Sequence, residues 1–396
     1  MTPTLISVIG SRALLWICMS LFLFSSCQPQ GMDISALPVE QNRTKTIQTS
    51  VQNSGDKVTT FKPRFPQSEV FVGIQFIDAS HGWLGSRSSL YKTSNGGLSW
   101  VKLPIVIPKG TSLSTFRFYD FKSGWIVFQK YPEDSLDYKG NKYDILHTQD
   151  GGQRWTQQHT GIAGRVDQLN VLPEGEGWVV GREFSEKDGG QEHPLVLHTT
   201  DHGEHWLNGS DDTNLVKMKY GITSLITSKS LGITATTAHG GVMSTEGFGK
   251  GWKGIAAVEG EPDQTFFGQL GRMDDGQLWL VGGADSMEGA GGLLVKLNAD
   301  GSWTKYKTNL YLSSAIFITK DQIIGCGHLI KPDTSLPLPR GREGFVAVFS
   351  ESDTAWRVIY QDSAVSSIRT LERIEPNVIW AIGTEGFVAR LTISQS

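Results

Sequence analysis

Cysteine is almost missing from this chain: there are three in 396 residues, and two of them, Cys18 and Cys27, fall near the N-terminus. Cys326 then stands alone in the remainder, which excludes an intramolecular disulfide there and leaves stability to packing. It lies in Ile323-Ile324-Gly325-Cys326-Gly327, an apolar strand context that reads as a buried small residue rather than a nucleophile. Positive charge is not in excess either. Lys and Arg number 36 against 40 Asp and Glu, for a formal net charge of −4, which argues against a general phosphate-backbone binder, so no nucleic-acid partner is expected. Metal-ligand spacing is also lacking, because His147, His198, His202 and His205 flank only some copies of a repeated turn and no copy supplies a ligand set. No metal, cofactor or catalytic residue is expected. Glycine and tryptophan, in contrast, are plentiful at 46 and 12, which fits many short strands joined by tight turns.

The N-terminal stretch reads as a targeting segment. Ala13 to Phe24 is almost wholly apolar, follows Arg12, and ends in Leu23-Phe24-Ser25-Ser26-Cys27. It resembles a bacterial lipoprotein signal peptide over 1–26, with Cys27 as the lipidated residue, although Phe24 stands where leucine is usual. A secretory signal cut nearby or an uncleaved anchor are the alternatives, and each exports the rest of the chain. Residues 27–56 are rich in Gln, Ser, Thr, Asn and Pro and read as a flexible tether with a reach of about 25–30 Å.

One short turn organises everything after the tether. Thr148-Gln149-Asp150-Gly151-Gly152-Gln153-Arg154-Trp155 recurs as Thr93-Ser94-Asn95-Gly96-Gly97-Leu98-Ser99-Trp100 and as Thr199-Thr200-Asp201-His202-Gly203-Glu204-His205-Trp206. A hydroxyl, an Asx side chain and glycine suit a hairpin tip that satisfies its own backbone, and the tryptophan then opens the next strand. The acidic and amide positions Asn95, Asp150 and Asp201 and the rings Trp100, Trp155 and Trp206 are therefore read as structural. Equivalent tryptophans at 252, 303 and 356 continue the series at intervals of 46 to 55 residues, the span of a four-stranded unit. A seventh unit from about Val365 has only three strands before the chain stops, and Lys57-Val58-Thr59-Thr60-Phe61 supplies a candidate fourth. The expectation is an all-β, seven-bladed β-propeller over 57–396, built of four-stranded antiparallel blades and closed by an N-terminal strand that completes the last blade, leaving no open edge there.

Insertions gather at the second turn of the blades, on the face opposite the repeated motif, and long loops on a rigid scaffold are where recognition is commonly placed. Lys130, Tyr131, Tyr138, Lys139 and Lys142 in the second blade, Arg182 and His193 in the third, and Lys331, Arg340 and Arg342 in the sixth form the candidate partner-binding face. With Glu186 and Asp188 in the third blade and Glu343 in the sixth, the loops mix aromatics with both charge signs, which suits a protein partner better than an apolar pocket.

Phe76-Ile77-Asp78-Ala79-Ser80-His81-Gly82-Trp83 followed by Leu90 to Trp100 is similar to the BNR/Asp-box repeat, and within that class resembles the photosystem II stability/assembly factor family. The resemblance is motif-specific through the first three blades. It implies an exported propeller, lipid-anchored to a bacterial membrane and facing the periplasm, the outer surface or a thylakoid lumen. It further implies a non-enzymatic monomer that binds protein and aids assembly or stability of a membrane complex, using an arginine-rich patch for which Arg87, Arg117, Arg182 and Arg272 are candidates. Two other readings stay open. One is an envelope receptor or adhesin that binds peptide or glycan. The other is a sialidase-like glycoside hydrolase, for which Arg64-Phe65-Pro66, Tyr311 and Tyr360 offer only fragments of the expected acid–nucleophile set.

Overall fold

The computed structural model describes residues 43–46, 48–50, 57–66, 68–130, 141–185, 191–210, 212, 214–215, 220–228, 232–246, 251–259, 265–286, 289–319, 321–331 and 341–394. Among them there is no helix; every regular element is a strand, and the strands form seven separate sheets. The protein is a seven-bladed β-propeller.

Blade 1 contains Phe71–Phe76, Gly82–Ser86, Leu90–Thr93 and Val101–Lys102. Blade 2 contains Thr111–Phe118, Gly124–Lys130, Lys142–Thr148 and Thr156–Ala163. Blade 3 has Arg165–Val171, Gly177–Ser185, Gln191–Thr199 and Leu207–Asn208, and blade 4 has Ile222–Ser228, Gly232–Thr237, Gly241–Thr245 and Lys253–Ala257. Blade 5 holds Phe266–Arg272, Leu278–Ser286, Gly289–Leu297 and Trp303–Thr308, and blade 6 holds Leu310–Thr319, Gln322–Lys331, Gly341–Ser350 and Ala355–Asp362. Blade 7 contributes Ile368–Glu375, Val378–Gly383 and Val388–Ser394, and its outer strand is Lys57–Phe61, antiparallel to Val388–Ser394 with Thr59 opposite Thr392. The N-terminal strand thus completes the last blade, as its β-branched pattern suggested.

The expected tether differs from the structure within 43–50. Arg43–Thr46 pairs parallel with Trp303–Thr308 of blade 5, and Gln48–Ser50 pairs parallel with Ala355–Asp362 of blade 6. The outer strands of those blades are long enough to offer a free edge, and the polar, Thr-rich segment leading to the closing strand runs along it. The rest of the expected tether that precedes Arg43, and the whole of 1–26 with Cys27, lies outside the described residues.

Packing repeats once per interface. Each pair of neighbouring blades encloses its own apolar cluster, and the one between blades 7 and 1 joins Trp380, Ile382 and Val388 to Phe71, Ile74, Leu84 and Tyr91. Second-strand tryptophans sit within these cores, with Trp83 stacked on Phe118 at 3.9 Å between centroids. Directly opposite, on the third strand, stands a cation or an imidazole: Lys92 Nζ lies 5.0 Å from Trp83, Lys296 Nζ 5.5 Å from Trp279, and the His147 ring 4.3 Å from Trp125. Burial pushes the His147 pKa down to about 4, so that imidazole packs neutral. Cys326 is fully buried, with its thiol pushed up by desolvation, in keeping with a core residue.

Inner strands share one irregularity. In every blade the register of the first strand slips at the same place, leaving Val72, Ser114, Asp167, Thr223, Gly268, Ser313 and Arg369 as the bulged residues. A bulge increases local twist, and here it recurs where the strands converge on the axis. Trp83→Ala should cost ~3–5 kcal/mol as a large-to-small core change. Val106→Ala, at a side chain 85% exposed, should stay within about 0.5 kcal/mol, and chemical denaturation measures both.

Candidate protein-binding face

The repeated turns fix one face of the disc. In each of three copies the threonine hydroxyl donates to the Asx side chain, at 2.9 Å for Thr93–Asn95, 3.0 Å for Thr148–Asp150 and 2.8 Å for Thr199–Asp201. The same hydroxyl accepts from the N–H of Gly97, Gly152 or Gly203 at 2.9 to 3.0 Å. The Asx Oδ1 accepts from the N–H four residues on, Ser99, Arg154 or His205, at 2.8 to 2.9 Å. Each tip is also bonded to the first turn of its own blade, Gly96 N to Ser80 O, Gly151 N to Lys122 O and His202 N to Gly175 O. Gly97 has φ +84°, and a Cβ there would run into the Trp380 ring of the neighbouring blade, so both conformation and close approach demand glycine. These groups are satisfied within their own turns, and among the described residues no three His, Cys, Asp or Glu side chains gather around a point.

The carboxylates of this face carry a pH signature. The Arg154 guanidinium and N–H hold Asp150 down to about 2. At Asp201 burial would raise the pKa, but the His205 N–H and ring and the Thr199 hydroxyl outweigh it and bring the group down to about 2. A carboxyl depressed in the fold stabilises above its unfolded pKa, and that contribution disappears as pH falls from about 4 to about 2. The melting temperature should therefore drop across that window, and drop less in Asp150→Asn/Asp201→Asn, as thermal scans at graded acid pH will show.

Second turns and blade-to-blade connectors occupy the opposite face. Lys130 ends one strand of blade 2 and Lys142 begins the next; the two are direct cross-strand partners and both are exposed. Like charges placed opposite one another disfavour the folded chain by themselves. Neighbouring backbone pairings extend them into an arc. Thr111 pairs with Lys130, the turn just before it exposes Lys109, and Leu113 N bonds to the carbonyl of exposed Arg87. On the other side Lys142 pairs with Ala163, two residues before exposed Arg165. Arg165 is held by Asp167 at 2.9 Å, whereas Arg87, Lys109, Lys130 and Lys142 form no ion pair among the described residues.

A cavity of about 380 Å³ opens on the same face across blades 5 to 7. Phe266, Tyr311, His328, Arg342, Ser366 and Arg369 line it, with Tyr311 stacked on His328 at 4.5 Å. Arg342 and Arg369 are exposed, so two guanidiniums border an aromatic shelf. Arg369 is the bulged residue of its inner strand, a position filled by neutral side chains or glycine in five of the other six blades and by Asp167 in the sixth.

The candidate residues divide. Lys130, Lys142 and Arg342 lie exposed on the loop face, and His193 is half-buried there, opposite Glu183. Tyr131, Tyr138, Lys139 and Arg340 lie outside the described residues, as does the side chain of Lys331, whose backbone ends its strand. Arg182 needs a correction. It is 8% exposed rather than presented to a partner, and its guanidinium reaches Asp167 at 3.0 Å and Glu192 at 3.5 Å. The four arginines considered for a patch occupy four settings: Arg87 on the arc, Arg182 in this buried cluster, Arg117 exposed on the inner strand of blade 2, and Arg272 half-buried against Thr234 at 2.8 Å. Arg369 and Lys109 were missed by reading the sequence, since a bulge position and a connector lysine become visible only when blades are superposed. The fragments of a glycosidase set do not converge. Tyr311 faces the cavity, while Tyr360 is on the outer strand of blade 6, hydrogen-bonded to an Asp362 that pairs with Lys62. Arg182→Ala should cost about 3 kcal/mol, because Glu192 would lose its counter-charge and Asp167 would keep only the exposed Arg165, and Lys109→Ala should leave the denaturation midpoint unchanged.

No family model matches the chain. Among curated proteins it is similar to the photosystem II assembly lipoprotein Ycf48 of Synechococcus sp. (strain CC9902), 24% identical over 243 residues, covering 59% of this chain. The chain spans 61% of the length of that relative. Solved structures that share its fold include YCF48 bound to D1 peptide, with a TM-score of 0.59 at 17% identity over 87% of this chain and 99% of that one. YCF48 from Cyanidioschyzon merolae has a TM-score of 0.55 at 13% identity, over 84% and 98%. An ancestral GH74 enzyme shares the architecture as well, with a TM-score of 0.53 at 11% identity over 83% and 46%, so the fold by itself does not separate binding from catalysis.

Proposed function

We propose that this protein is a non-enzymatic, extracytoplasmic propeller that holds a protein partner on its loop face and aids assembly of a membrane complex, in the manner of a photosystem II assembly factor. The observation that carries this reading is the arc of Arg87, Lys109, Lys130 and Lys142, exposed cations without a described counter-ion, two of them set directly against each other. Such an arrangement is disfavoured in the free protein and becomes favourable when an acidic segment of a partner lies across it. Arg342 and Arg369, at the cavity of blades 5 to 7, add the same sign of charge to the loop face. The similarity to a lipoprotein named for photosystem II assembly, and the shared fold with a structure named for a bound D1 peptide, support a proteinaceous partner and a membrane setting. Under this reading Cys27 carries the lipid, the propeller works as a monomer, and the client is a membrane protein on the exported side. A non-catalytic role is favoured because Tyr311 and Tyr360 are far apart in the fold and the Asp-box carboxylates are occupied by their own turns.

Lys130→Glu/Lys142→Glu should weaken partner capture at least tenfold and flatten its dependence on salt, with a melting temperature close to wild type. In-cell crosslinking from Lys130 and Arg342, with mass spectrometry of the adducts, names the partner. Retained capture in the charge-reversed protein would move the interface elsewhere. Turnover of a glycoside substrate that is lost in Tyr311→Phe would replace the binding role with a catalytic one.

A further inference from the structure

Among the described residues, three of the seven blade interfaces are fastened near the axis by a glutamine that imitates backbone. Gln75 of blade 1 donates to Phe118 O at 2.5 Å and accepts from Phe118 N at 2.8 Å in blade 2. Gln168 makes the same double bond to Leu225, at 3.1 and 2.8 Å, and Gln269 to Ala315, at 2.8 and 2.7 Å. An amide can do this because it carries a donor and an acceptor side by side. Between blades 7 and 1 the corresponding side chain is an acid. Glu372 accepts from Phe76 N at 3.1 Å. Measured from the bulges, Glu372 stands where Gln75 stands, three residues past Arg369 as Gln75 is past Val72. Its partner Phe76 likewise stands where Phe118 does, four past Val72 as Phe118 is past Ser114.

We propose that Glu372 is a proton-dependent latch across the interface that closes the ring. Protonated, its second oxygen donates to the Phe76 carbonyl and reproduces the double bond of Gln75. Ionised, it can only accept, so it keeps the Phe76 N–H and sets a negative oxygen against the carbonyl. The ring is held more firmly on the acid side and loosens at this one seam as the proton leaves.

The surroundings suit such a role. Burial pushes the Glu372 pKa up to about 7, with the Phe76 N–H and the Arg117 guanidinium opposing the shift. The strands Phe71–Phe76 and Val378–Gly383 that pack on it carry no ionisable side chain. On the three blade 6 strands packed against it, Tyr311, His328, Lys331, Arg342 and Glu343 lie toward the loop-face end, level with Arg369, and Cys326 is in the core. On its own strand Arg373 is turned to the Glu375 carbonyl at 3.3 Å. Arg117, from blade 2, is the charged group whose field reaches the acid.

The sign follows from linkage. A carboxyl whose folded pKa is raised from 4.5 to about 7 stabilises fully below 4.5, and that contribution is lost as pH climbs through 7. His147 and His198, depressed by burial, act in the opposite direction, since their contribution fades as pH falls. Glu372→Gln must therefore be compared with wild type at each pH. In the full chain the melting temperatures of the two should coincide near pH 4 and separate by several degrees in favour of Glu372→Gln by pH 8. Amide exchange at Phe76, corrected for its intrinsic rate, should accelerate over the same range in wild type alone. Gln75→Glu should transfer the same pH dependence to the interface of blades 1 and 2. A pH-independent difference between wild type and Glu372→Gln would overturn the latch. So would a carbon NMR titration of the Glu372 carboxyl in wild type with a midpoint below pH 5, a measurement that does not require the variant to fold.

Discussion

Seven sheets arranged about an axis hold together only if the last one meets the first, and in this chain that meeting depends on a five-residue strand borrowed from the other end. Val388–Ser394 would otherwise expose a row of backbone donors and acceptors at the rim of blade 7. Lys57–Phe61 covers it, and the segment just before it goes further by running along the outer strands of blades 5 and 6. Closure is reinforced at the axis, where an apolar cluster and the Glu372 contact join blade 7 to blade 1. The loop face can then offer binding groups in set positions because the ring beneath is closed.

The two faces show a division of labour that follows from hydrogen-bond accounting. On one, the side chains of Asn95, Asp150 and Asp201 are consumed by their own turns, and the backbone of each of these turns is tied to the first turn of its blade. On the other, four cations of blades 1 and 2 stand without described counter-ions, and two arginines border a cavity across blades 5 to 7. Polar groups that the fold does not use are those available to a partner.

Much of this architecture is legible in the residues because its determinants are local. The Thr-x-Asx-Gly turn declares its own conformation, tryptophan spacing gives the period, and the β-branched run at Lys57–Phe61 balances the three-stranded remainder at the C-terminus. What escapes is what depends on neighbours distant in sequence. Arg182 looks like a loop-face arginine until Asp167 and Glu192 are seen to enclose it. Arg43–Thr46 and Gln48–Ser50 read as tether because their composition is polar, and only the free edges of blades 5 and 6 make them strand. Glu372 has no motif at all; its meaning comes from superposing it on Gln75. An exposed position on the loop face is legible where insertion length points to it, as at Lys130 and Lys142, and not where a bulge or a connector sets it, as at Arg369 and Lys109.

Pairing Thr59 with Thr392 has a kinetic corollary. More than three hundred residues separate the two partners, so the loop-closure entropy of that contact is among the largest in the molecule, and it can form only after the C-terminal residues exist. Blades 1 to 6 have all four of their strands contiguous in the chain and can condense as synthesis proceeds, whereas the seventh must wait with its edge bare. The slow event in reaching the native state is then the docking of the first strand onto the last, and the half-built molecule is most prone to self-association during that interval.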